Sequence, residues 1–166
     1  MTRDDLRILY DYNYWANARV LSAAARVTPE QLTAPARLSH GSVRDTLVHI
    51  LGTEVVWRLR CQEGVSPQAL PAESEFPTLD ALQGRWTEEE RKMRGYLASL
   101  SDAALAATVQ YKTTRGVPQQ NVLWHLLAHV ANHGTQFRGE AAVALTEYGR
   151  SPGDLDLLAF LREGRG

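Results

Sequence analysis

Apolar residues return every three or four positions in four long stretches of this chain. Each stretch is bounded by residues that start or stop helices. That spacing is the buried face of an α-helix, so four long amphipathic helices must bury their stripes against one another. Residues 2–26 carry Leu6, Leu9, Tyr10, Tyr14, Ala18 and Leu21 behind Thr2 and Asp5, a capping-box pair. The second stretch opens at Ser42-Val43-Arg44-Asp45, a second capping-box pattern. It continues through Leu47, Ile50, Leu51, Val55 and Leu59 to Gly64, a residue suited to end a helix. The third begins at Thr78 and presents Leu79, Leu82, Trp86, Met93 and Leu97, while its charged run Glu88–Lys92 faces solvent. The fourth runs from Asn121 to Tyr148 and stops at Gly149.

The connections are as informative as the helices. Residues 64–77 hold Pro67, Pro71 and Pro77 and keep no period, so they read as an ordered crossover loop. Thr28-Pro29-Glu30-Gln31 starts a single helical turn, and Ser101-Asp102 another. Thr108 to Gln119 alternates weakly and meets Arg115-Gly116, as an extended or hairpin segment would. Ser151-Pro152-Gly153-Asp154 caps a last short helix bearing Leu155, Leu158, Phe160 and Leu161. The expected architecture is all-α: one domain over residues 1–166, a four-helix bundle with a long crossover connection and short extra helices.

Composition removes several classes of function. Eighteen basic residues against nineteen acidic ones give a net charge of −1, without the basic excess that nucleic-acid binding requires. Cys61 is the one cysteine, so neither a disulfide scaffold nor a thiolate metal cluster can form within the chain. Arg58 and Arg60 could lower its thiol pKa, but no partner base is identifiable, and a spectator thiol is the plainer reading. No run approaches the roughly 20 apolar residues of a spanning helix. The N-terminus carries Arg3, Asp4, Asp5 and Arg7 where a leader would be apolar. A cytoplasmic protein with no membrane partner is expected.

The histidines carry the chemistry. His125, His129 and His133 stand at consecutive i, i+4 positions of the fourth stretch. Four residues turn a helix by about 400°, so neighbours in this series lie on one stripe. An i, i+4 pair can chelate a transition metal, although no Glu follows the first His as a metalloprotease motif demands. His49 lies mid-way along the second stretch, where a facing helix can bring it to the others. Three neutral imidazoles favour zinc, nickel, copper or iron and leave coordination positions open. Against this stands the plainer reading of each as a hydrogen-bonded core residue. His40, in a Leu-Ser-His-Gly loop, reads as a solvent or capping residue. His125 beside Trp124 reads as a half-buried aromatic neighbour.

Four strings together resemble the DinB family. They are Tyr14-Trp15-Ala16-Asn17, His49 with Glu54, the helix-four run Asn132-His133-Gly134-Thr135-Gln136-Phe137-Arg138-Gly139-Glu140, and Ser151-Pro152-Gly153-Asp154-Leu155-Asp156. The resemblance spans nearly the whole chain. It implies an up-up-down-down-like bundle, often a homodimer, related to the bacillithiol S-transferases and mycothiol-dependent isomerases. It also implies a divalent metal, commonly zinc or nickel, held by three histidines. Two of those positions match His49 and His133. The third is Phe137, which has no lone pair to donate. His129, one turn away, is the candidate replacement, giving a His49, His129, His133 set; water or Glu54 could otherwise complete a weakly held metal. The activity implied is a metal-dependent thiol transfer to small electrophiles, with a low-molecular-weight thiol as co-substrate. The alternative is a non-catalytic, stress-related dimer with an empty or small-molecule-binding pocket. The aromatic first helix, with Tyr10, Tyr12, Tyr14 and Trp15, is compatible with such an interface.

Overall fold

The computed structural model describes residues 1–164. The long helices are α1 (Arg3–Ala24), α3 (Val43–Arg58), α4 (Leu79–Ser99) and α6 (Leu123–Glu147); the short ones are α2 (Pro29–Thr33), α5 (Asp102–Leu105) and α7 (Leu157–Glu163). Their starts are chemical. Thr2 Oγ1 accepts from the Asp5 amide while the Asp5 carboxylate accepts from the Thr2 amide, and Thr28 and Gln31 repeat the exchange at α2. At α3 only half of the expected box forms. Ser42 Oγ accepts from the Asp45 amide, but the Asp45 carboxylate turns to Arg44.

Two apolar clusters fill the interior. One collects the end of α1 (Val20, Ala23), the starts of α3 and α4 (Leu47, Leu51, Leu82, Trp86) and the end of α6 (Phe137, Leu145). The other collects the start of α1 (Leu6, Tyr10), the end of α4 (Met93, Leu97) and the start of α6 (Leu123, Leu127). Helices α1 and α6 therefore run one way and α3 and α4 the other. The order is up-down-down-up rather than the up-up-down-down expected. The parallel neighbours α3 and α4 need a long connection to bring the chain back, and the proline-bearing stretch supplies it. It contains one 3₁₀ turn, Glu73–Glu75. Each long helix packs on two others, α1 and α3 both lying against α4 and α6.

Three boundaries differ from the periodicity. Helix α3 gives way at Leu59 to a π turn, Leu59–Glu63, closed by Gly64 at φ 68°, a left-handed conformation that favours glycine. Residues 108–122 form an antiparallel hairpin, β1 (Thr108–Lys112) with β2 (Pro118–Val122), which claims Asn121 and Val122 before α6 begins. The last helix starts at Leu157, capped by Asp156. Leu155 thus lies outside it, with its carbonyl accepting from Tyr12. The aromatics of α1 are spent within the chain. Tyr10, Tyr12 and Tyr14 are buried, and Tyr12 and Trp15 pack on Phe160 of α7. Among the described residues no helix is long and apolar enough to cross a membrane.

Candidate functional site

All four long helices meet at one buried carboxylate. Glu54 of α3 accepts from the amides of Asn13 and Asn17 of α1, each at 2.9 Å, and from the indole N–H of Trp86 of α4 at 3.0 Å. Arg138 of α6 donates in turn to the Asn13 and Asn17 oxygens, at 2.5 and 2.8 Å. Burial raises the Glu54 pKa against the opposing pull of the asparagine amides, and burial lowers that of Arg138. With both oxygens engaged, Glu54 is a structural centre rather than a spare metal ligand.

That network sets the register in which the histidines meet. His49 precedes Glu54 by five residues on α3, and His133 precedes Arg138 by five on α6. Their Nε2 atoms lie 3.0 Å apart, and Thr53 Oγ1 lies 3.5 Å from Nε2 of His133. Burial is the first cause depressing both pKa values, to about 4 for His49 and about 3 for His133. Proximity of other imidazoles depresses them further, and Glu140 partly opposes the effect at His49. Both rings are thus neutral at pH 7 with lone pairs available.

Phe137, 8% exposed, packs on both rings, with centroids 4.6 Å from His49 and 4.5 Å from His133. His40 corrects its reading as a solvent or capping residue. Its ring stacks on His49 at 3.6 Å and meets Phe137 at 5.1 Å. The cause is a tether. Ser39 donates its amide and hydroxyl to the Glu140 carboxylate, at 2.8 and 2.7 Å, and so holds the loop against α6. Nothing in the local sequence announces this contact, which joins residues 101 positions apart.

His129 is displaced along the stripe. Its ring lies 5.8 Å from His133 and packs edge-on to Trp57 at 5.4 Å. His125 is exposed and lies edge-on to Trp124 at 4.1 Å. Cys61 is the reverse of an activated thiol: burial pushes its pKa up to about 12, which the nearby Arg60 only partly opposes.

These contacts test the donor set for a metal. At zinc–nitrogen distances of about 2.0–2.1 Å, two ligands on one ion stand about 3.0–3.4 Å apart, as the two Nε2 atoms do. Among the described residues, however, no three His, Cys, Asp or Glu side chains converge as a metal group would require. His133 Nδ1 is also buried without the acceptor that commonly orients a metal-bound imidazole. The residues fit two cis imidazoles on one ion. They do not fit a closed three-histidine cage.

The chain belongs to the DinB family. The family model matches residues 1–165, essentially the whole length. No curated protein matches the chain.

Proposed function

We propose that this DinB-family chain binds a divalent transition metal, of the zinc or nickel class, through His49 and His133 alone. The 3.0 Å approach of their Nε2 atoms supports the reading. In it, His129 stays with Trp57 as a wall of the site, and Thr53 lies beside the pair as a hydroxyl donor. A metal so held leaves several coordination positions open, and when bound it would stabilise a small-molecule thiol as its thiolate at neutral pH. Thiol transfer to a small electrophile is the reaction class this supports. Phe137 and the stacked His40 make one side of the site apolar and flat, which favours an uncharged electrophile there. With two protein ligands instead of three, the metal exchanges readily and is lost to chelators.

One observation favours a second reading. Phe137 touches both imidazoles, so the rings can instead share a single Nε2–H···Nε2 hydrogen bond beneath it, in a pocket that holds no metal. Metal content decides between them. Protein prepared without a metal-affinity tag is loaded with nickel or zinc, desalted and analysed by mass spectrometry. The two-imidazole reading expects binding that His133→Ala abolishes and His129→Ala leaves intact. Phe137→His should tighten it to about one metal per chain, as three ligands hold a metal more firmly than two. A wild-type chain that never loads, beside a Phe137→His chain that does, establishes the metal-free reading.

A further inference from the structure

Arg60 is 6% exposed, yet its Nε and Nη2 atoms are buried and make no hydrogen bond among the described residues. Those two atoms share one edge of the guanidinium, the edge that grips a carboxylate with two parallel N–H···O bonds. Two residues earlier the same edge is used that way. Arg58 donates Nε to one Glu89 oxygen at 2.5 Å and Nη2 to the other at 3.3 Å. Arg58 ends α3 and Arg60 lies in the π turn that follows, both buried, and such turns recur at functional sites. Around Arg60 the described residues provide aromatic faces and no ion-pairing acid. The guanidinium carbon lies 4.6 Å from the Trp57 ring centroid and 5.4 Å from that of Tyr111. Trp57 meets His129 edge-on at 5.4 Å, and His129 leads to His133 at 5.8 Å. An aromatic wall therefore links Arg60 to the histidine pair.

We infer that Arg60 anchors a subsite for the carboxylate of a small aromatic acid, whose ring lies along Trp57 in the place that Tyr111 vacates. Leaving two buried guanidinium donors unpaired is costly, and a carboxylate on this edge satisfies both. The ring–cation contacts offset part of that cost but fill neither donor. The acid reaches the edge by displacing Tyr111. Trp57 is fixed on α3, whereas Tyr111 sits on a two-stranded hairpin, an element of marginal stability by itself. Tyr111 also lines an open cleft of about 820 Å³ that Lys112, Ser66 and Gly64 border, so the residue that packs on Arg60 is reached from solvent. The subsite stands whether or not a metal occupies the histidine pair.

The test uses the metal-stripped wild-type chain and follows the Arg60 Nε–H resonance by ¹⁵N NMR, assigned by its loss in Arg60→Lys. Benzoate is the probe, benzamide its neutral counterpart and inorganic phosphate the competing anion. Sodium benzoate should shift the resonance saturably, and benzamide at equal concentration should not. Ligand-observed NMR should show benzoate binding weakened by about tenfold or more in Arg60→Gln, the loss of a charge-assisted pair of hydrogen bonds. Arg60→Lys should weaken it too, since an ammonium lacks the fork. If one variant fails to fold by circular dichroism, the other, which also lacks the guanidinium Nε–H, supplies the assignment, and the wild-type titration decides. No saturable shift up to the solubility of benzoate overturns the subsite. So does an equal shift with benzamide, or a response to phosphate with none to benzoate.

Discussion

His49 Nε2 and His133 Nε2 face each other at 3.0 Å, and burial holds both rings neutral at pH 7. Charging both rings would bring two Nε2–H groups head to head. The linkage to folding has one sign. In the native chain the pKa values are depressed to about 4 and about 3, whereas an unfolded histidine titrates near about 6.5. Between those limits the unfolded chain binds more protons, so stability rises with pH and is lost as pH falls below about 6.5. Urea unfolding of the metal-stripped protein should give a lower midpoint at pH 5 than at pH 7. A His49→Gln/His133→Gln chain should show a smaller difference, and an unchanged difference would sink the assignment.

Gly134 lies one residue after His133, where the Arg138 guanidinium crosses the helix. A Cβ at this position would stand 2.6 Å from Arg138 Nη1 and 2.8 Å from Asn13 Oδ1. Both atoms are held in the buried network around Glu54 and cannot step aside without breaking it. Gly134→Ala should destabilise the protein by about 2–4 kcal/mol, combining overpacking with a damaged polar cluster. Gly139 on the same helix has nothing within 4 Å of its would-be Cβ. Gly139→Ala should therefore stabilise, by about 0.5–1 kcal/mol, through helix propensity alone. Paired denaturation curves check both, and similar effects of the two substitutions would contradict the close approach at Gly134.

What was legible in the sequence followed the range of the interaction. Period and caps gave the four long helices because Leu47, Leu51, Leu127 and Leu145 answer to helical geometry alone. His49 and His133 were legible because each lies on the face that its own helix buries. His40 was not, since its place depends on Ser39 reaching Glu140 in a helix distant along the chain. Arg60 was hidden for another reason. In the sequence it is one more cation near Cys61, and its packing between Trp57 and the distant hairpin's Tyr111 appears only in the fold.

Cys61 should be slow to react. The thiolate is the nucleophile, and a thiol with its pKa pushed up to about 12 holds almost none at pH 8. Its carbonyl is also occupied, accepting from Tyr96 at 3.0 Å, which pins the end of the π turn against α4. Iodoacetamide should label native protein far more slowly than urea-unfolded protein, by at least about a hundredfold, given a free-thiol pKa near about 8.5. Labelling at comparable rates in the two states would show that the thiol is not held in this environment.

The Arg58–Glu89 pair offers the largest single-residue effect. Glu89 is fully buried and Arg58 nearly so, and the pair joins α3 to α4 across the parallel crossover. Arg85 approaches the second Glu89 oxygen at 3.4 Å, but its side chain is 30% exposed and cannot replace a fork at 2.5 Å. Arg58→Ala leaves a buried carboxylate with a weak partner and should cost about 3–5 kcal/mol. Removing both charges should cost less, because a Met and a Leu of similar volume leave no buried charge; the other partners, Glu63 and Arg85, reach solvent. In chemical denaturation, Arg58→Met/Glu89→Leu should thus be more stable than Arg58→Ala. The reverse order would show that the pair contributes more through its attraction than desolvation takes away.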